Sequence, residues 1–168
     1  DLPAGVTVLG SFGGDQEKIT SQTQREVDLV TGAVEQPGDK SLLDIACGDG
    51  RLLVHLVRNF QKVVGVDYVG DLLELARRRL EGAGLEAELI EDNVASFSYD
   101  GVFDVVLLSG ILPCLDDAQC HEMLAQLDSW AADPCTLLVR SSVGLQKRVN
   151  VVNQYSSELK THYTGYYR

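Results

Sequence analysis

The sequence predicts a doubly wound α/β fold, a mainly parallel sheet with helices on both faces. Three observations predict it. Five short apolar runs alternate with stretches of helical periodicity, and the linkers between them are only a few residues long. Apart from the third, EAELIE, the runs are largely apolar, as strands covered on both faces are. A glycine-rich turn, Cys47-Gly48-Asp49-Gly50, follows the first run and opens a helix.

Residues 1–16 carry four glycines and a proline and read as an irregular arm. The stretch 10–14 within it lacks the Lys-Ser/Thr ending of a phosphate loop. Residues 17–34 have helical spacing, with Ile19, Val27 and Val30 among polar neighbours, and Gln36-Pro37-Gly38-Asp39 breaks the chain. The run 41–46 is the first strand. Beyond the glycine turn, Leu52, Leu53, Leu56, Val57 and Phe60 fall on one face of a helix. The valine-rich run 62–67 is the second strand. A helix over 71–81 places Asp71 at its positive end and Arg77, Arg78 and Arg79 at its negative end, with Gly82 or Gly84 to cap it. Strands follow at 86–91 and 102–109. A helix over 116–130 turns Cys120, Met123, Leu124, Leu127 and Trp130 inward, and the fifth strand is 135–140. The last 28 residues show no convincing pair of strands.

The 168 residues suit one domain that buries roughly two thirds of its unfolded surface. We divide the chain into an arm and helix at 1–39, a cofactor-binding α/β core at 40–141 and a tail at 142–168. The tail differs in composition. Residues 1–144 hold 10 Lys/Arg against 24 Asp/Glu, whereas 145–168 hold four basic residues, one acid and four of the six tyrosines. The net charge of −11 repels polyanions, so nucleic acid is not an expected partner. Cys47, Cys114, Cys120 and Cys135 have neither CxxC nor zinc-ligand spacing, so no metal is expected, and they read as reduced thiols of a cytoplasmic protein. No apolar run is long enough to span a membrane. The chain starts at Asp1 without a basic or apolar leader, so a signal peptide is not expected, whereas a trimmed or partial chain is.

Three acids stand at successive strand ends. Asp44 begins the glycine loop, Asp67 closes the second strand, and Asp92 follows the third. Gly48 and Gly50 let the backbone turn and approach a ligand closely. A carboxylate at Asp67 can accept hydrogen bonds from both hydroxyls of a ribose. Asp92 and the backbone N–H of Asn93 are an acceptor and a donor for an adenine edge. A dinucleotide fingerprint would want a small residue where Leu53 stands and no acid where Asp44 stands. Asp44 suits a cationic amino group better than a pyrophosphate.

With these residues in register, the chain resembles the class I S-adenosylmethionine-dependent methyltransferases. LLDIACGDGRL is similar to their first motif, VVGVDYVGDLLELARRRL to the segment with the ribose-binding acid, and IEDNVASFSYDGVFDVVLLSGIL to the adenine segment running into the fourth strand. The resemblance covers about 40–141. It implies S-adenosylmethionine as cofactor, with Asp44 ordering the loop or meeting the methionine amino group. Ala46, Cys47, Gly48 and Gly50 then give close contacts along the loop. By the same resemblance Asp67 binds the ribose, Tyr68 lies beside the adenine, Asp92 and Asn93 contact its edge, and Ser109 faces the methionine half. The family's usual seven-stranded sheet ends in an antiparallel edge, so the C-terminal strands here read as missing or incomplete.

The acceptor side is less marked. Ser109-Gly110-Ile111-Leu112 is neither the Asn/Asp-Pro-Pro-Tyr/Phe motif of base-modifying amino methylases nor the acid of metal-dependent catechol enzymes. That leaves methyl transfer to an oxygen or nitrogen of a small-molecule or glycan-type acceptor. His55 and His121 lie off the apolar faces of their helices. His162, with Tyr163 beside it in the tail, is the candidate general base, and the tail tyrosines could stack on an acceptor. Cys114 reads as a packed thiol. The edge of the fifth strand could pair two chains. An NAD(P)-dependent oxidoreductase and an inactive cofactor-binding regulatory domain are the alternatives.

Overall fold

A computed structural model describes residues 15–141, together with the backbone of two short strands at Val149–Val151 and His162–Thr164. Helix α1 (Gln16–Gly32) is capped by Asp15, whose side chain accepts from the Lys18 N–H at 3.2 Å. Then follow β1 (Ser41–Ile45), the single turn α2 (Leu53–Leu56), β2 (Lys62–Asp67), α3 (Gly70–Gly82), β3 (Glu88–Glu91) and β4 (Phe103–Ser109). Helices α4 (Asp117–Ala125) and α5 (Leu127–Trp130) lead into β5 (Ala131–Arg140), and β6 (Val149–Val151) and β7 (His162–Thr164) close the order.

Five strands form one parallel sheet in the order β3-β2-β1-β4-β5. The chain winds outward through β2 and β3 on one side of β1 and through β4 and β5 on the other. The strand order therefore reverses between β1 and β4, the place beside which open α/β sheets take ligands, beyond the carboxyl ends of the strands. Successive strand residues point to opposite faces and fill two cores. Leu42, Val63, Val105 and Leu107 pack with Val27 and Val30 of α1, Leu53 and Leu56 of α2 and Leu73 of α3. Leu43, Ile45, Val64, Val66, Val106 and Leu108 pack on the other face with Met123, Trp130 and Phe97. Trp130 is fully buried, its indole N–H donates to the Phe97 carbonyl at 3.3 Å, and the two rings lie 5.6 Å apart. At the amino ends of the strands, Asp104 of β4 accepts from the Ser41 N–H (2.9 Å), the Ser41 hydroxyl (2.8 Å) and Lys40 (3.0 Å). The Ser41 backbone N–H is the main cause that holds Asp104 down to about 2.

Several boundaries differ from the sequence reading, each for a physical reason. The helix expected from Leu52 to Phe60 is regular only over Leu53–Leu56, because the Gln61 N–H must pair with the Lys40 carbonyl and start β2. The helix expected over 116–130 breaks at Gln126, and Leu124 is exposed rather than inward. The fifth strand begins at Ala131, not 135, because an irregular register lets Ala131 pair with Phe103 ahead of the main ladder. Contrary to the reading of the last 28 residues, the tail holds an antiparallel pair, β6 with β7, separate from the main sheet. The arm at 1–14 and most of 142–168 lie outside the described residues. No helix among the described residues is long and apolar enough to cross a membrane.

The loop after β1 meets α3 at Gly50. Its φ is +70°, and a Cβ there would sit 2.8 Å from the Ala76 Cβ. A left-handed non-glycine residue costs about 1–2 kcal/mol, and overpacking about 1–3 kcal/mol more. We predict that Gly50→Ala destabilises the fold by at least about 2 kcal/mol, a fall of roughly 5 °C in Tm. Gly82→Ala, at a helical position with nothing within 4 Å, leaves Tm unchanged or slightly raised. Thermal unfolding followed by circular dichroism reads both.

Candidate cofactor site

Most of the residues singled out in the sequence stand at or just past the carboxyl ends of β1, β2, β3 and β4. Asp44 lies on β1 between Gly65 of β2 and Leu107 of β4, and it is 2% exposed. Among the described residues no hydrogen bond or ion pair reaches its carboxyl group. Burial is the main reason that its pKa is pushed up to about 7, with Asp67 and Glu26 adding to the rise and Arg51 opposing it. A buried carboxyl without a partner is costly, and a cationic ligand would relieve that cost.

The loop then runs through left-handed conformations at Ala46 (φ 61°) and Gly48 (φ 57°). Asp67, buried at the end of β2, clamps it. Its Oδ2 accepts from the Gly48 N–H at 2.8 Å and its Oδ1 from the Val69 N–H at 3.0 Å. Each oxygen keeps a further lone pair for a hydroxyl donor. Cys47 is buried, and burial next to Asp44 and Asp67 raises its thiol well above the usual range, so it packs rather than reacts. Leu53, fully buried, fills the space over Gly65, where its side chain comes within 2.7 Å of a would-be Cβ. The third small residue of a dinucleotide fingerprint is therefore absent in structure as in sequence.

Tyr68 follows Asp67 and is 65% exposed, its ring free to cover a flat ligand. Asp92 begins the next strand end, its N–H donating to the Asp67 carbonyl at 3.1 Å. The Asn93 N–H is not free as expected, since it donates to the Asp92 carboxylate at 2.7 Å. An adenine edge can use it only if the Asp92 side chain turns away. Ser109 is half-buried at the end of β4. Cys114, read as a packed thiol, is exposed. His55 and His121 are exposed, as expected of surface residues. His162 and Tyr163 belong to β7, whose backbone lies against the turn Leu112–Cys114 that follows β4, and their side chains lie outside the described residues. Among the described residues no group of His, Cys, Asp and Glu could hold a metal ion.

Sequence reasoning missed a polar layer behind the loop. Arg51, directly after Gly50, donates to Glu26 of α1 at 2.6 Å and to the Thr23 hydroxyl at 2.8 Å. Glu26 is 4% exposed and also pairs with Arg140 at the end of β5 at 3.0 Å. Asp49 is buried and pairs with Arg79 of α3 at 2.8 Å. Position supplied one signal, since Arg51 adjoins the glycine loop, but nothing in the sequence marks Glu26 among the other acids.

Comparisons with known proteins bear on the family and the fold. Residues 42–133 match the family model described as "Methyltransferase domain". The chain is 36% identical over 104 residues to a demethylmenaquinone methyltransferase of Thermus thermophilus, across 60% of this chain and 44% of that protein. It is 49% identical over 43 residues to a dTDP-3-amino-3,6-dideoxy-alpha-D-glucopyranose N,N-dimethyltransferase of Streptomyces fradiae, across 26% of this chain and 17% of that protein. The chain thus spans less than half the length of these relatives. Among solved structures, the sugar N-methyltransferase KedS8 of a Streptoalloteichus species superposes with a TM-score of 0.65 at 21% identity, covering 89% of this chain and 62% of that one. The chain belongs to the class I S-adenosylmethionine-dependent methyltransferases.

Proposed function

We propose that this protein binds S-adenosylmethionine beyond the carboxyl ends of β1 and β4 and transfers its methyl group to a nitrogen or oxygen of a small-molecule or glycan-type acceptor. The observation that carries the reading is Asp44, a buried carboxyl with no partner among the described residues, at the strand-order reversal. It fits the methionine ammonium. Asp67 fits the ribose hydroxyls, Tyr68 and Asp92 the adenine, and Ala46, Cys47, Gly48 and Gly50 a close backbone wall. Ser109 stands on the methionine side. The bound cofactor supplies an electrophilic methyl on a sulfonium.

The protein's own part is to fix two reactants in line. Positioning can supply about 7–11 kcal/mol, against roughly 3–5 kcal/mol from a general base. The reading therefore does not depend on a base, and His162 and Tyr163 stand as candidates for that smaller contribution. For the acceptor, the Streptomyces relative and the sugar N-methyltransferase structure support an amino sugar as the first class to test. The tail supports its own role as a wall of the acceptor site, because β7 lies against the turn that follows β4.

Asp44 gives the reading a pH signature. Its pKa is raised in the ligand-free fold, so the native state holds the proton more tightly than the unfolded chain. Stability from that protonation is full below about pH 4 and is lost as pH rises towards 7. Asp44→Asn should therefore raise the ligand-free Tm at pH 8, with a smaller gain at pH 5.5. The same variant should bind S-adenosylhomocysteine at least about tenfold more weakly at pH 8, since one charge-assisted hydrogen bond is worth about 1.5–3 kcal/mol. Wild-type affinity should rise with pH up to about 7 and then level. Calorimetry at several pH values checks the binding. A pH-independent affinity would remove Asp44 from the ligand's contacts.

Asp67→Ala should lower affinity for S-adenosylhomocysteine at least about tenfold and also lower Tm, because the Gly48 N–H loses its acceptor. NAD should not bind either protein.

Deleting 146–168 should leave S-adenosylhomocysteine affinity within a few fold and abolish transfer of labelled methyl to any amino sugar that the full chain methylates. Full activity in the truncated, monodisperse protein would reduce the tail to packing.

A further inference from the structure

Arg51 is the cation nearest in influence to Asp44, yet it does not pair with it. Arg51 is the opposite charge that acts on that carboxyl, but both hydrogen bonds of its guanidinium go to α1 instead, to Thr23 and Glu26. Glu26 is buried, accepts from the side chains of Gln22 (2.6 Å) and Arg51 (2.6 Å), and forms an ion pair with Arg140 (3.0 Å). Its Oε2 serves Arg51, and its Oε1 serves Gln22 and Arg140.

A buried guanidinium seeks a carboxylate, because leaving it unpaired in a low-dielectric setting is costly. Two carboxyls compete for Arg51, Glu26 on α1 and Asp44 on β1. The structure assigns the guanidinium to Glu26. We propose that Glu26 is a positioning residue that holds Arg51 away from Asp44, keeping the Asp44 carboxylate open for the ligand's ammonium group. The proposal rests on the cofactor reading above. It gives α1 a role in cofactor binding although Glu26 touches no ligand. Arg140 supports the arrangement, since it brings a second positive charge to Glu26.

The consequence has an unusual sign. Removing the Glu26 charge should let Arg51 turn to Asp44 and occupy the ammonium's place. Removing Arg51 as well should reopen the site. A purely structural role for Glu26 predicts the opposite, with the double variant as weak as or weaker than the single one.

The test is S-adenosylhomocysteine binding by calorimetry at pH 8.5, above the value of about 7 that Asp44 has in the wild-type fold, with circular dichroism to confirm folding. Wild-type protein is measured first, and failure of wild type to bind would overturn the cofactor reading itself. Given wild-type binding, Glu26→Gln should weaken affinity at least tenfold, and Glu26→Gln with Arg51→Gln should recover affinity to within about threefold of wild type. The rise of affinity between pH 6 and 7 should flatten in Glu26→Gln, because an Arg51 pairing keeps Asp44 ionised at lower pH. Unchanged affinity in Glu26→Gln, or no recovery in the folded double variant, overturns the proposal. Should Glu26→Gln not fold, Glu26→Asp replaces it. That variant retracts the acceptor by one methylene, should show a smaller loss, and should also recover on addition of Arg51→Gln.

Discussion

A carboxyl group taken out of water needs a partner, and Asp44 has been given none from the described residues. Much of the site architecture follows from keeping that group where it is. β1 is the central strand, hydrogen-bonded on both sides, so its carboxyl end cannot bend away. The loop after it is pinned to Asp67 through the Gly48 N–H and to α3 through the close approach of Gly50 to Ala76. The positive charge next in line, Arg51, is drawn off towards α1. The fold thus keeps an unfavourable electrostatic arrangement on its central, doubly paired strand, where a ligand contact can be preorganised.

The two halves of the polar layer do different physical work. Asp67 and Asp49 hold backbone and α3 and shape the loop. Glu26 and the Arg51 guanidinium shape the electrostatics around Asp44, and their bonds to one another lie outside the loop's own turns. α1 therefore couples to the glycine loop through charge, while its apolar face, Val27 and Val30, anchors it to the sheet. Arg140 extends that coupling to the end of β5, next to Gly110, whose N–H donates to the Arg140 carbonyl at 2.8 Å.

How much was legible in the sequence depends on how local the cause is. β2 at Lys62–Asp67 was readable to the residue, because a short valine run between breakers leaves little choice of structure. The strand-end acids were readable for the same reason, since strand and loop are contiguous. The end of the helix after Gly50 was not, because it is set by pairing between Gln61 and Lys40. Nor was the early start of β5, which needs Phe103 as a partner across the sheet. Glu26 could not be picked out at all. Its meaning comes from residues 25 positions away and further, at Arg51 and Arg140, and helical periodicity only marks it as polar. The capture of the Asn93 N–H by the preceding side chain was not legible, because it is a detail of rotamer.

The central claim is that Asp44 is an anchor left open for a cation. A crystal structure of the protein with S-adenosylhomocysteine tests it most directly. The account predicts the ligand's ammonium nitrogen within hydrogen-bond distance of the Asp44 carboxylate, the ribose hydroxyls on Asp67, and Arg51 still on Glu26. A ligand bound with its ammonium group elsewhere, or Asp44 paired with Arg51 beneath it, would contradict the account.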